Sequence, residues 1–237
     1  MNHVPEAQNP LHPLEFKGDH LVVCEGFSDA KTICALLDRH KRTNSTLDGF
    51  GFYIGRSKTE GVEAAGKTAI PKLLKVASTR KPEWDAFRSV TVVVDCDELD
   101  RNQLFNEAAD WLVSVGLERP SQPNAVHSGQ SKKTGVLMIP EDGQGTLEHV
   151  LLGALSDVHP NVRSCLDTFV SCAIGQSWAV WGSNYQAKMQ VQSFLAALYH
   201  TDPCLSLAWM CGKPDTPIPL DSQRFAFILD FFASVAS

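Results

Sequence analysis

The sequence predicts an α/β protein with a mostly parallel sheet of four or more strands, followed by a helical C-terminal extension. Two observations predict the sheet. Short, unbroken apolar runs recur, the clearest being Val90-Thr91-Val92-Val93-Val94, and between them apolar residues fall at helical spacing. A run that is apolar at every position is what a strand covered on both faces needs. Strand then helix, four times over, is the order of a parallel sheet with crossover helices. A third observation predicts the extension: from about residue 156 onward only helical spacing remains.

Taken in order, residues 1–17 are polar and Pro-rich and read as a loose arm. The α/β domain spans 18–155. His20–Cys24 reads as its first buried strand, and Ser28 as the N-cap of a helix carrying Ala30, Ile33 and Leu37. Phe50–Ile54 is a second short strand. A polar loop follows, and then a helix beginning near Ala69 with Ile70, Leu73, Leu74 and Ala77 inward. Val90 opens the third strand. The next helix carries Leu104, Ala108, Trp111 and Val115, and Arg119–Lys133 reads as a polar loop. Gly135–Pro140 is a fourth strand and Thr146–Leu155 a short helix. In the extension, 156–237, three apolar faces are expected: Val162, Leu166, Phe169 and Ala173; Val191, Phe194, Leu195 and Leu198; and Leu220–Val235 with Phe225, Ile228, Phe231 and Phe232. Whether this part stands alone or packs on the sheet is left open by the pattern.

The chain has 237 residues, and 43% of them are hydrophobic, enough for a sizeable core. No apolar run approaches the ~20 residues of a membrane helix. The first ten residues lack the basic region and apolar core of a signal peptide, so a cytoplasmic location is expected. Cys24, Cys34, Cys96, Cys165, Cys172, Cys204 and Cys211 show no CxxC spacing, and their odd number points to reduced, mostly buried thiols rather than a disulfide or zinc framework. The formal net charge is −6, yet residues 31–88 hold twelve of the 21 Lys and Arg against six acids. Such a basic segment suits either a nucleic-acid face or a set of solvated helix surfaces.

The chemistry concentrates where strands end in acid. Glu25-Gly26 follows the first strand, and Asp95-Cys96-Asp97 follows the third. Carboxyl ends of parallel strands are where open α/β sheets place their sites. Asp95 and Asp97 are two apart, so in an extended chain both side chains point the same way, and two unit charges about 4 Å apart repel by roughly 4 kcal/mol at an effective dielectric of 20. A hard divalent cation is the simplest counterweight, and Mg²⁺ characteristically takes one or two carboxylates, waters and phosphate oxygens. If the two strands are neighbours, Glu25, Asp95 and Asp97 converge. Gly26 would let the backbone turn closely beside them. Each acid alone is equally a cap or turn residue.

A competing pattern, Gly61–Thr68, matches GxxxxGK[ST], for which Val90–Asp95 would serve as the second nucleotide-binding strand. Its context is poor. Arg56–Glu60 is too polar to be the strand that should aim such a loop, and Pro71 would fall past the first turn of a helix starting at Gly66. With a start near Ala69 the proline is comfortable. Gly66 and Lys67, just before a helix N-terminus, can still meet a phosphate. His20 and His149 read as structural, and Cys96 as packing. No Ser-His-Asp or Cys-His signature is recognisable.

Strand-Glu25-Gly26-x-x-Asp29, then strand-Asp95-x-Asp97 some seventy residues on, resembles the Toprim domain of topoisomerases, bacterial primases and overcoming-lysogenization-defect nucleases. The segment Met138–Glu148, with its Pro140 and Gly145-Thr146-Leu147-Glu148, is similar to the later motif of small Toprim-like proteins. The resemblance covers about residues 18–152. It implies a Rossmann-like sheet and Mg²⁺ or Mn²⁺ bound by Glu25, Asp95 and Asp97, with Asp29, Asp142 and Glu148 as further acids for a second ion. It implies a metal-dependent nuclease, a hydrolase of DNA or RNA, in defence or nucleic-acid processing. Gly26, Gly66, Lys67, Lys72, Lys75 and Lys81 would meet phosphates. No topoisomerase tyrosine, primase accessory domain or nuclease-linked ATPase domain is recognisable. Nucleic acid is the expected partner, and a homo-oligomer or a separately encoded protein partner is a further expectation. A P-loop NTPase and a non-catalytic binding module are the alternatives.

Overall fold

The computed structural model describes residues 2, 18–54, 66–175, 182–199, 211 and 216–237. Five strands form one sheet in the order β2-β1-β3-β5-β4, namely β1 His20–Cys24, β2 Phe50–Ile54, β3 Ser89–Asp95, β4 Val126–Ser128 and β5 Lys133–Ile139. The β1–β2, β1–β3 and β3–β5 pairs are parallel, and β4 alone runs antiparallel, on the edge beside β5. The central strands are buried throughout, as their unbroken apolar runs predict.

The helices are α1 Phe27–His40, α2 Ile70–Thr79, α3 Lys81–Ala86, α4 Arg101–Ser114, α5 Leu147–Val158, α6 Pro160–Gly175, α7 Ser183–Tyr199 and α8 Ala226–Ala236. They cover both faces of the sheet. On one face Leu21, Val23, Val92 and Val94 meet the apolar sides of α2, α3 and α4. On the other, Val22, Cys24, Phe50 and Phe52 meet α1, α5, α7 and α8. Neighbours along each strand thus enter opposite layers, as a period of two requires. The fold is Rossmann-like.

The C-terminal helices are part of this core. Phe194 of α7 and Phe232 of α8 are fully buried, and the Phe232 ring meets that of Phe50 edge-on with centroids 5.0 Å apart. At Gly135 of β5 a Cβ would lie 2.8 Å from Phe231 Cζ, so glycine is what lets α8 close on the sheet. One expected core residue is not in it: Phe169 of α6 is 55% exposed, while Val170 and Ala173 turn inward.

Several local expectations change. The cap of α1 is Gly26 rather than Ser28, because Asp29 in the first turn reaches back to accept the Gly26 N–H at 2.9 Å. Ser28 therefore lies inside the helix. Arg119–Lys133 is not wholly loop, for it contains β4, and β5 starts at Lys133. The final helix begins at Ala226, after a short 3₁₀ turn at Gln223–Phe225. Most of the 1–17 arm lies outside the described residues. Asn2 does not: it is buried, accepts the Phe50 N–H at 3.0 Å and donates to Leu47 O at 2.9 Å.

Candidate functional site

The sheet order creates a crevice before any side chain is considered. From β1 the chain crosses through α1 to β2 on one side, and then through α2 and α3 to β3 on the other. The carboxyl ends of β1 and β3 thus feed loops that part in opposite directions, the switch point where open α/β sheets take ligands. Glu25 follows β1, and Asp95 is the last residue of β3. Cys24 pairs with Val93, so in continuation of that register the two acids sit one residue apart in level on adjacent strands.

Other elements bring further acids to the same place. Asp29 belongs to the first turn of α1 and Glu148 to the first turn of α5. The charges of Asp29, Glu148 and Glu25 all bear on Asp95, after burial, and hold its carboxyl well above the usual range. The Leu147 N–H, at the start of α5, works the other way by donating to Asp95 Oδ1 at 3.0 Å. Burial, with Asp97, Asp29 and Glu148 behind it, pushes Glu25 up to about 7 against the pull of Lys67. Asp29 rises to about 6, first through burial and then through Glu148, against the Gly26 N–H bond and Lys188. Glu25 Oε2 is buried and has no hydrogen-bond partner among the described residues.

Asp97 is held differently. Its φ of +50° takes the chain out of the strand, and its N–H and carbonyl exchange bonds of 2.7 and 2.8 Å with Gly145. The two oxygens of its carboxylate are both engaged: Lys67 Nζ pairs with Oδ2, and Asn184 Nδ2 donates to Oδ1 at 2.8 Å. Asp95 and Asp97 therefore do not present themselves side by side as an extended Asp-x-Asp would.

The structure thus brings Glu25, Asp29, Asp95, Asp97 and Glu148 together, with Gly26, Gly66 and Lys67 at the rim. Gly66, at φ +66°, passes so close that a Cβ there would lie 3.3 Å from Glu25 Oε1. Asp142 stands apart, exposed in the loop after β5, and is not among the charges that move Glu25, Asp29 or Asp95. Lys72 and Lys75 are exposed on α2 and Lys81 on α3. Residues 61–65 of the Gly61–Thr68 pattern lie outside the described residues. Its end, Gly66–Ala69, is a 3₁₀ turn, and α2 starts at Ile70 with Pro71 in its first turn. Two site residues come from α7 and were not legible, Asn184 and Lys188. Nothing in a polar residue on a C-terminal helix announces such a neighbour.

The carboxylate oxygens of Glu25, Asp29, Asp95 and Glu148 are of the kind a hard divalent cation takes, while the Lys67 ammonium is no ligand and opposes a cation. Among the described residues no three His, Cys, Asp or Glu side chains are already drawn into ligating positions around one point. Unscreened carboxylates repel and spread, so an ion bound here would have to gather them itself. The partnerless Glu25 oxygen marks where the gathering would begin.

Fold and site together define the class: an α/β protein with a Rossmann-like sheet and an acidic cluster at its switch point. The chain belongs to the DUF3226 family, described as a protein of unknown function, whose sequence profile matches residues 19–216. No curated protein and no solved structure matches it. No described helix is long and apolar enough to cross a membrane, and no disulfide joins the described cysteines.

Proposed function

We propose that this chain is a Toprim-type phosphodiester hydrolase, dependent on Mg²⁺ or Mn²⁺ and acting on DNA or RNA. The observation that carries the reading is Glu25. Its carboxyl lies at the switch point with a buried, partnerless oxygen, beside Asp95, Asp29 and Glu148. Glu25 and Asp95 would hold the cation, with Asp29 and Glu148 behind them. When bound, a divalent cation would polarise the phosphodiester and orient an attacking water. The order of the acids along the chain, Glu25, Asp29, then Asp95-x-Asp97, supports the Toprim assignment, as does the parallel β1–β3 pair that joins them.

The protein's own groups supply the rest. Where Glu25 does not itself ligate the cation, its carboxyl, raised to about 7 by burial, would be suited to protonate the oxygen that leaves. Gly26 and Gly66 keep bulk away from the crevice. Lys67 sets a positive charge where a phosphate would enter. A role in defence or nucleic-acid processing rests only on analogy with Toprim nucleases.

The test is cleavage of labelled single- and double-stranded DNA and RNA in Mg²⁺ or Mn²⁺ against chelator. Wild type should cut at least one of them, and Glu25→Gln should lose about 10²–10⁴-fold in rate while its affinity for the substrate changes little. Full cleavage by Glu25→Gln removes the assignment. ATP turnover that vanishes in Lys67→Ala would put a nucleotide hydrolase in its place.

A further inference from the structure

The two carboxylates of the Asp95-x-Asp97 pair do not share an environment, and the difference lies in their partners. Asp95 has one oxygen on a backbone N–H, that of Leu147, and acids around it: Asp29, Glu148 and Glu25. Asp97 has a cation on one oxygen and an amide on the other. To ligate an ion as Asp95 can, Asp97 would have to shed Lys67 or Asn184. Its backbone is held in a left-handed conformation by the paired bonds to Gly145, so the carboxylate can leave these partners only by rotation of its own side chain. Asn184 comes from α7, itself anchored in the core through Val191 and Phe194. Lys67 is mostly buried, with its side chain 17% exposed, and it follows Gly66, which packs against Glu25. An ammonium clamped in this way, beside a carboxylate cluster that would hold a cation, is a built anion-receiving group.

Resting on the reading above, we propose that the pair divides its labour. Asp95 belongs with Glu25 to the cation-holding cluster, whereas Asp97, oriented by Asn184, is a positioning residue that docks Lys67 to receive a substrate phosphate oxygen.

The decisive variant is the double change Lys67→Gln with Asp97→Asn, in the full chain. It replaces an ion pair by a neutral hydrogen-bonded pair, so the net charge around the cluster is conserved and only ligation is tested. It also leaves neither partner charged and alone, which protects folding. Mn²⁺ binding is measured by isothermal titration at fixed pH and salt, with circular dichroism as a folding control. The double variant should bind Mn²⁺ within about threefold of wild type, while Asp95→Asn should lose at least tenfold. Affinity for a labelled single-stranded oligonucleotide, measured by anisotropy in chelator, gives the second readout. Lys67→Gln should weaken it and lower the salt slope by about one, the share of one phosphate contact.

Loss of Mn²⁺ binding in the double variant to the extent seen in Asp95→Asn would make Asp97 a ligand and overturn the division. An oligonucleotide affinity and slope unchanged in Lys67→Gln would overturn it too. A wild type that binds no Mn²⁺ at all would instead remove the metal reading itself, a failure distinct from these.

Discussion

Glu25 shows how one residue couples stability to chemistry. Its ordinary value of 4.5 rises to about 7 in the folded chain, chiefly through burial. The folded state therefore holds a proton that the unfolded chain gives up. Stability from this group is fully present below 4.5 and is lost as pH climbs through about 7. Asp29, raised from 3.8 to about 6 mainly by burial, acts in the same direction. In chelator, the melting temperature should fall between roughly pH 4 and 8, and Glu25→Gln should flatten that fall, as thermal melts in a pH series can show. A variant as steep as wild type would contradict the burial of this carboxyl. Glu25 and Asp95 were legible because each ends an apolar run, and strand ends are where such sheets expose side chains. Asp29 and Glu148 entered only through a family resemblance. Asn184 and Lys188 had no local signal, because helix α7 acquires its neighbours only when it docks. The expectation that Asp95 and Asp97 lie alike assumed extended backbone through Asp97, and its φ of +50° breaks that assumption.

At the level of elements, the buried strands were readable because burial on both faces leaves a continuous apolar signature. β4 was not. Its Val-His-Ser has one bonded neighbour and two residues half in solvent, so it carries no apolar pattern. The cap of α1 was misplaced at Ser28 because a serine before an apolar face is the commoner signal, whereas Gly26 is capped through the Asp29 side chain. What no periodicity could decide was whether the last helices form a separate body. They do not, for α8 shares one apolar cluster with β1, β2 and α1. Phe232→Ala, which empties a fully buried site beside Phe50, should destabilise the whole chain by about 3–5 kcal/mol in denaturant unfolding. Probes on the sheet and on the C-terminal helices should report one common transition. A second, earlier transition confined to the C-terminal helices would mean that they do not belong to this core.

Across the whole molecule, charge is sorted rather than balanced. The chain carries −6 overall, yet the acids that face one another at the switch point lie beside the start of its most basic stretch. Lys67 sits at the rim of the cluster, and α2 then carries Lys72 and Lys75 outward for about 15 Å, the length of ten helical residues, before Lys81 opens α3. If the substrate is a phosphodiester chain, these lysines would lie along its approach to the carboxylates. Solvated lysines on a helix would look the same in the sequence, so a measurement has to separate the two. Replacing Lys72, Lys75 and Lys81 by Ala leaves the apolar faces of α2 and α3 intact, since all three are exposed. If they track a backbone, affinity should fall alike for all nucleic-acid sequences, and the logarithmic salt slope should flatten by about 0.7–0.9 per lost contact. Ion binding at the cluster should stay near wild type, because those charges lie beyond it and are screened over about 10 Å at 0.1 M salt. Unchanged affinity with an unchanged slope would reduce the stretch to solvated helix faces, and the path of any substrate strand to the site would then have to run elsewhere.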